Sequence, residues 1–322
     1  MLILIEHEVV ELLDMPGCMA AMETALTGLA HGDFHLPLRP VVKPPGEKHF
    51  LGLMPTFRSG DRPLYALKTV AIFPENPARG LDPHQGTVTL YDGETGEVLA
   101  VMNASPITAI RTAAVSGVAT RALAREDARV LAIVGAGHQA GPHIEAMLEA
   151  RPFSEIRIAA RTRESAERLA AEWPDARAVE SNEEAVQGAD VVCTVTQSAE
   201  PVVEAGWLSP GAHINAVGAC LPHTRELDSA TVARSSFFTD RRESCENEAG
   251  DYILALKEGA IADGGHIKAE LGEVLAGMAP GRTSPDEITV FESLGLAVED
   301  LASAEYLMRR AEETGKGTTV EF

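Results

Sequence analysis

A glycine-rich loop offers the clearest chemistry in the chain. Gly135, Gly137 and Ala140 form a Gly-x-Gly-x-x-Ala pattern directly after the apolar run 130–134. In dinucleotide-binding folds the first glycine makes a tight turn, the second lets the backbone approach a pyrophosphate, and the third small residue lets a helix pack on a strand. The free N–H groups at the helix start attract phosphate charge. The pattern therefore predicts dinucleotide binding.

The residues after the next predicted strand indicate which dinucleotide binds. An NAD enzyme usually places an acidic residue about 20 positions beyond the loop to hold the ribose 2′-hydroxyl, whereas an arginine accommodates a 2′-phosphate. This sequence has Arg161, Thr162 and Arg163 there, and no acid. NADP(H) is therefore favoured, and NAD(H) stays possible. The alternative interpretation is that Arg161 only caps a surface turn.

Lys68 is the most unusual residue of the N-terminal region. In segment 64–73 both alternating faces are mostly apolar, so a strand there offers the lysine no obvious solvated side. Burying an ammonium group is costly unless it is paired, and desolvation lowers its pKa. Such a lysine is suited to exchange a proton with a substrate nitrogen. The alternative is an edge-strand lysine whose ammonium group reaches solvent.

Two arginines lie on segments that are predicted to be stiff. Arg39 lies in the extended segment Pro37–Pro40, and Arg111 lies in a helical segment rich in small residues. Because a guanidinium group can bind a carboxylate or phosphate bidentately, the pair could hold an anionic ligand. Each could also be an ordinary surface arginine. His84, just before a predicted strand, is a weak signal by itself.

The elements that must position these residues change in type along the chain. The N-terminal region has helical patterns and predicted strands that suggest an antiparallel α+β domain, and 106–124 is helical. From residue 129 strands and helices alternate, which predicts a Rossmann-type, doubly wound parallel sheet and an α/β fold. The predicted strands of the N-terminal region are 38–43, 49–54, 64–73, 86–91 and 98–102, and a long helix is expected from about 296 to 313.

Composition limits the class of partner. The chain has 322 residues, of which 45% are hydrophobic and 23% charged, as in ordinary globular proteins. Its 48 acidic and 27 basic residues give a net charge of -21, which argues against nucleic acid or an anionic membrane as a partner. No stretch approaches the roughly 18 apolar residues of a membrane span, and the N-terminus does not resemble a signal peptide. The four scattered cysteines fit a reducing cytoplasm, and no metal-ligand spacing is present.

Several motifs in one order resemble the ornithine cyclodeaminase/mu-crystallin family over essentially the whole chain. The resemblance implies a homodimer. Region 1–115, joined by a C-terminal helix at 302–322, would bind substrate and make the dimer contact, and region 116–301 would be the Rossmann domain. The matching stretches are 51–55, 84–88, 107–115, 135–140, 213–219, 225–228 and 291–300.

The resemblance also implies roles for individual residues. Arg39 and Arg111 would face the substrate carboxylate or the cofactor, and Lys68 would be the catalytic residue beside the reacting carbon–nitrogen centre. The expected substrate contacts are Arg39, Met54, Lys68, Arg111 and Cys220. The expected cofactor contacts are His84, Arg111, Thr112, Gly135, Gly137, His138, Gln139, Ala140, Arg161, Thr162, Thr196, Val217 and Gly218.

Two departures from the family pattern bear on the reaction. The cyclodeaminase members have an acid at the position of Gly52, which holds the distal amine of the substrate, and a catalytic Asp at the position of Cys220. Both acids are missing here, and a free thiol with a pKa of roughly 8.5 is better suited to a neutral pocket wall than to an acid role. The Arg161-Thr162 pair resembles the mu-crystallin branch, whose members are NADPH-dependent ketimine reductases.

The leading expectation is therefore NAD(P)H-dependent reduction of a small carboxylated imine, such as 1-pyrroline-2-carboxylate, in amino-acid metabolism. The alternatives are ornithine cyclodeamination to proline and ammonia, an alanine-dehydrogenase-like reaction, and a non-enzymatic binding protein like mu-crystallin. Intact Lys68, Arg39 and Arg111 argue against the last of these.

Overall fold

The chain divides into two units in the computed structural model, which describes residues 1–262 and 264–321 and omits the side chain of Pro77. The first unit consists of Met1–Arg111 and Gly295–Phe322, and the second consists of Thr112–Leu294. The sequence-based boundaries lay at 115/116 and 301/302. Both differ slightly from the division in the structure, where the first boundary falls inside one continuous helix and the second lies just before the last helix.

Most strands of the first half follow one another, and from β8 onward strands and helices largely alternate, as the sequence predicts. Up to the middle of the chain they are β1 Leu2–Leu4, α1 Glu6–Leu12, α2 Met15–His31, β2 Phe34–His35, β3 Val41–Val42, β4 Phe50–Arg58, β5 Leu64–Ile72, β6 His84–Asp92, β7 Val98–Asn103, α3 Ala104–Leu123, β8 Val130–Val134, α4 Ala140–Ala150, β9 Glu155–Ala159, α5 Arg163–Ala170, β10 Ala176–Ala178, α6 Asn182–Val186 and β11 Val191–Thr194. The remainder are β12 His213–Ala216, α7 Ser229–Arg234, β13 Ser236–Thr239, α8 Arg242–Glu248, α9 Gly250–Lys257, β14 Ile267–Glu270, α10 Leu271–Leu275, β15 Thr289–Glu292, α11 Ala297–Thr314 and β16 Thr318–Thr319.

The first unit is built on a mixed sheet with helices α2 and α11. The strand order is β16-β1-β7-β6-β5-β4-β2, β3 pairs with β4, and all pairs are antiparallel except β1 with β7. Helix α11 packs on β4, β5, β6 and β7 and on α2. Helix α2 begins where the Asp14 carboxylate accepts a hydrogen bond from the Gly17 N–H at 2.8 Å, and it ends at Gly32 with φ 85°.

The second unit is a parallel sheet. Its order is β10-β9-β8-β11-β12-β15-β13-β14, and every neighbouring pair is parallel. Strand β8 has β9 on one side and β11 on the other, so the chain changes direction across the sheet at β8. In doubly wound sheets a ligand binds outside the carboxyl ends of the strands at this point. The predicted fold class is confirmed.

Several sequence-based bounds were wrong. The strand expected at 38–43 is only Val41–Val42, because Pro40 has no N–H to donate to a ladder. The last helix spans Ala297–Thr314, within one residue of the 296–313 pattern, whereas the bounds 302–322 used for the domain assignment were wrong; the helix stops where Gly315 adopts φ 68°. Helices α7, α8 and α9 and strand β14 were not predicted, because such short elements carry little periodic signal.

Candidate active site

A buried ion pair lies at the centre of the first unit. Lys68 on β5 is 1% exposed, and its Nζ donates a hydrogen bond to Asp300 Oδ1 of α11 at 3.0 Å. The lysine points to the side of the sheet on which α11 packs, because its cross-strand neighbours there, Met54 and Val88, are also buried. The expectation that Lys68 has no solvated side is thus met, and its counter-ion is Asp300.

Arg111 joins the same group of charges. Its Nη1 donates to Glu299 Oε2 at 2.7 Å, and its Nε lies 3.3 Å from Asp300 Oδ1. We call Lys68, Arg111, Glu299 and Asp300 the charge cluster. With two cations and two anions it is formally neutral, which is the condition under which charges this deeply buried can be tolerated.

The electrostatic surroundings lower the pKa of Lys68 to about 8. Burial is the main cause, and the Arg111 and Arg39 guanidinium groups act in the same direction. The Asp300 carboxylate opposes them through its charge and its hydrogen bond. Lys68 can therefore hold a proton near neutral pH and also release it, as proton transfer to a substrate nitrogen requires.

Gly295 is needed for the Arg111 guanidinium group to lie where it does. The residue has φ +76°, a region that disfavours other side chains, and a Cβ atom there would lie 2.4 Å from Arg111 Nη1. The turn before α11 thus leaves room for the Arg111 guanidinium group, and the acids in the first turn of α11 neutralise its charge.

The other predicted residues of the first unit lie on or beside its strands. A Cβ atom on Gly52 would lie 3.4 Å from Val70 Cγ1 and 3.9 Å from Arg39 Cδ, so the stem of Arg39 passes close to Gly52. An acid at position 52 would therefore sit beside Arg39. His84 begins β6, where its backbone N–H donates to Asp82 Oδ1 at 2.7 Å.

The glycine-rich loop of the second unit has the geometry of a phosphate cradle. Gly135 follows β8 with φ +115°, and a Cβ there would lie 2.9 Å from the Val195 carbonyl oxygen. At Gly137, by contrast, no atom lies within 4 Å of a Cβ position, and His138 is exposed. Ala140 is fully buried as the first residue of α4. The backbone at the start of α4 is thus open to a ligand, as a bound pyrophosphate needs.

Among the several buried side-chain polar atoms of this unit that have no hydrogen-bond partner among the described residues, two lie directly next to the ends of elements and so fit a polar ligand. They are Gln139 Oε1, at the start of α4, and Ser293 Oγ, directly after β15. Because buried polar atoms are almost always paired in complete structures, these two are suited to the amide and hydroxyl groups of a dinucleotide. Ser293 was not singled out from the sequence, although it lies in the stretch 291–300.

Glu226 ties together the strand ends where three of the predicted cofactor contacts lie. Its carboxylate accepts hydrogen bonds from Thr196 N–H at 2.6 Å, Gly218 N–H at 2.6 Å and Thr194 Oγ1 at 2.8 Å. A Cβ on Gly218 would lie 1.7 Å from the Thr196 carbonyl oxygen, so only glycine fits there. Val217 precedes it and is buried. Sequence reasoning missed Glu226, because an acid in a loop gives no pattern.

Other acids are buried in the same unit. Asp251 Oδ1 accepts the backbone N–H groups of Glu226 and Leu227 at 2.8 and 2.9 Å, and burial raises the pKa of Asp251 to about 7. Burial and neighbouring acids also raise the pKa of Glu292, and the half-buried Cys220 contributes to that effect. Within 1–262 and 264–321, no group of three or more His, Cys, Asp or Glu residues is arranged to hold a metal ion.

Residues 161–163 after β9 differ in the hydrogen bonds and ion pairs that their side chains already form. Thr162 caps α5, accepting a hydrogen bond from Ser165 N–H at 3.4 Å. Arg163 is held by Glu167 at 2.7 Å and by Glu180. Arg161 is exposed on the surface beside them. Of the two arginines, Arg161 is the better placed to meet a new anionic group.

These features define a class of protein. Its second unit has the strand arrangement and glycine-rich loop of a nicotinamide-dinucleotide-binding fold, and its first unit buries a lysine, an arginine and two carboxylates. The model of the ornithine cyclodeaminase/mu-crystallin family matches residues 1–315, and the chain belongs to this family. The resemblance noted from the sequence motifs is confirmed.

Three known proteins show which kinds of family member the chain resembles. The chain is 42% identical to ketimine reductase mu-crystallin of Mus musculus over 287 residues, which is 88% of each chain. It is similar to Delta(1)-pyrroline-2-carboxylate reductase of Thermococcus litoralis, solved with NADH and L-proline, with 38% identity, a TM-score of 0.95 and coverage of 99% and 100%. It is also similar to an archaeal alanine dehydrogenase dimer with bound NAD, at 34% identity and a TM-score of 0.93, covering 100% of this chain and 99% of that one.

No helix in the described parts of the chain combines the length and apolar character needed to cross a membrane.

Proposed function

We propose that the protein is an NAD(P)H-dependent reductase of a small imine that bears a carboxylate, such as a cyclic ketimine. The observation that carries this proposal is the buried Lys68–Asp300 pair, a proton donor with a pKa near neutrality beside two arginines. The relatives with ketimine and pyrroline-2-carboxylate reductase activity support the same reaction class.

Each residue of the first unit has a distinct role in this proposal. Arg39 binds the substrate carboxylate, and Arg111, already held by Glu299 and Asp300, adds positive potential. Lys68 keeps the substrate nitrogen protonated, so that the imine carbon is a better hydride acceptor. When bound, the reduced nicotinamide supplies the hydride, and the protein contributes orientation and field.

The neutral residues at two positions favour reduction over cyclodeamination. Gly52 offers no carboxylate to hold a second amine, and Cys220 stands where cyclodeaminases have a catalytic Asp. A substrate with one carboxylate and no distal amine is therefore the better match. The similarity to an archaeal alanine dehydrogenase makes reductive amination of a 2-oxo acid the second candidate, since it passes through an imine of the same kind.

The cofactor is proposed to be held by the glycine-rich loop, with Gln139 and Ser293 as polar contacts. Within that proposal NADP(H) is preferred over NAD(H), because Arg161 and Thr162 can meet a 2′-phosphate and no acid follows β9 to hold a 2′-hydroxyl. NADH and NAD accompany the two solved relatives, so NAD(H) is kept as the second candidate.

A homodimer is proposed from an exposed apolar face of the first unit's sheet. We call Leu51, Pro55, Phe57, Tyr65 and Leu67 the apolar face; they alternate with the buried residues of β4 and β5. Leu51 is 37% and Tyr65 49% exposed, and the rings of Phe57 and Tyr65 lie 4.6 Å apart. A contiguous apolar surface of this kind is typical of a protein contact. None of the four cysteines forms a disulfide, which supports the proposal of a reducing, cytoplasmic setting.

A steady-state screen tests the reaction. Cyclic ketimines, and 2-oxo acids with ammonia, are offered with NADH and NADPH in parallel. We expect stoichiometric cofactor oxidation with at least one ketimine and a loss of roughly 100-fold or more in Lys68→Ala, as for removal of a general acid. Dinucleotide binding, followed by fluorescence, should persist in that variant.

Lys48→Ala provides the matched control, because Lys48 has a side chain 81% exposed in the same unit. It should retain full activity. Release of ammonia from ornithine without net cofactor oxidation would contradict the proposed reaction and favour a cyclodeaminase.

A further inference from the structure

We propose that Asp300 is a positioning residue that sets the orientation and the protonation of Lys68 and ties it to Arg111. The relevance of this arrangement to turnover rests on the proposed function. The arrangement itself is a property of the first unit, and it can be tested without any substrate.

One oxygen atom links the two cations. Asp300 Oδ1 accepts the Lys68 Nζ hydrogen bond at 3.0 Å and lies 3.3 Å from Arg111 Nε. The side chains of Lys68 and Asp300 are 2% and 1% exposed, so water does not screen the contact. Because both cations converge on the same atom, Asp300 fixes the distance between the lysine and the arginine.

The charges around Lys68 make its protonation depend on the Asp300 carboxylate. Arg111 and Arg39 both disfavour the ammonium form, and its strand neighbours Met54 and Val88 provide no charge. Glu299 faces Arg111, with which it forms its own ion pair. Among the charged side chains acting on Lys68, Asp300 favours the protonated form, and without it two cations and burial act unopposed.

Helix α11 places Asp300 where a carboxylate is favoured. Asp300 lies in the first turn of this 18-residue helix, together with Glu299. A carboxylate at a helix N-terminus is stabilised by the helix dipole and by the unpaired N–H groups of the first turn. The same helix therefore supplies a fixed anion and determines where it lies on the sheet.

The test replaces the charge and keeps the shape. In Asp300→Asn, the pKa of Lys68 should fall by roughly 1 to 3 units, the usual effect of removing a close opposite charge. It can be measured by NMR titration of 13C-labelled lysine side chains, since the chain has only six lysines, with Lys68→Met to assign the signal. The alkaline limb of kcat/KM should move to lower pH by the same amount.

Glu305→Gln is the matched control. Glu305 lies on the same helix and binds Arg58, with Nη2 to Oε1 at 3.0 Å, away from the charge cluster. It should lower thermal stability modestly and leave the Lys68 titration unchanged. An Asp300→Asn protein that is folded and titrates Lys68 like the parent would overturn the proposal.

A second variant covers the case in which Asp300→Asn does not fold. Asp300→Glu keeps the charge but shifts the carboxylate by one methylene group, so the distance between the two charges changes and the Lys68 pKa should shift measurably from that of the parent. An unchanged pKa and an unchanged alkaline limb in this variant count against the proposal. Failure of the proposed reaction alone would leave the NMR result intact, so the two can be told apart.

Discussion

At the scale of single residues, Arg161 is the side chain on which cofactor choice depends. It is exposed, whereas Arg163 is already bound to Glu167 and Glu180. In Arg161→Ser we expect the KM for NADPH to rise roughly 10-fold or more, the value of a charge-assisted hydrogen bond, with little change for NADH. Steady-state kinetics with both cofactors measures this.

Arg163→Ser is the control for that substitution, because its guanidinium group already has two acidic partners. It should change neither KM by more than a small factor. Equal losses with NADPH in the two variants would mean that general positive charge, rather than Arg161, attracts the cofactor.

The chemical role of a single residue could be predicted from the sequence only where its near neighbours in the chain indicate it. Lys68 was recognised because apolar neighbours on both faces leave an ammonium group no route to water. Its partner was not, since Asp300 lies 232 positions away and nothing in either segment specifies the pairing. Glu226 was missed for the same reason, as its three hydrogen-bond donors come from two segments that are distant from it in sequence or separated by a loop, 194–196 and Gly218.

At the scale of elements, the start of α9 buries a carboxylate whose protonation affects stability. The folded-state pKa of Asp251, about 7, exceeds its ordinary value of roughly 3.9. Between these values the folded state binds more protons than the unfolded state, so the free energy of unfolding falls as pH rises through this window.

Asp251→Asn should remove this pH dependence. The amide oxygen can still accept the N–H groups of Glu226 and Leu227, while the buried charge is eliminated. We expect the variant to match the parent below pH 4 and to be more stable than the parent, on the order of 1 to 3 kcal/mol, at pH 8. Urea denaturation at several pH values measures both. A parent that loses no stability between pH 4 and 8 relative to the variant contradicts this account.

Element boundaries were predictable where periodicity is long. Strand β8 was predicted at its observed bounds, and α11 was predicted within one residue at each end. The short helices α7, α8 and α9 were not foreseen. Tertiary hydrogen bonds, such as those that Asp251 accepts from the backbone N–H groups of Glu226 and Leu227, help to fix their positions, and no repeat in the sequence marks them.

At the scale of the whole molecule, the apolar face should hold two chains together. Tyr65→Glu places a charge on its most exposed aromatic residue, 49% exposed. We expect the mass from light scattering to fall from twice 34.2 kDa towards 34.2 kDa at micromolar concentration.

Val10→Glu is the comparison for that experiment, because Val10 is similarly exposed, at 57%, but lies on α1. It should leave the mass unchanged. A parent protein that sediments as a monomer would refute the dimer outright.

The charge cluster also orders the events of folding. Its ion pairs join residues that lie at least 188 positions apart, so none can form by local contact. Strands β4 to β7 can pair earlier through antiparallel neighbours, but Lys68 and Arg111 then lack their counter-ions, and burying them is unfavourable until α11 docks. Docking of the last helix thus neutralises the charges of Lys68 and Arg111. The same step assembles the proposed proton donor, so the chain gains it only when this unit completes its folding.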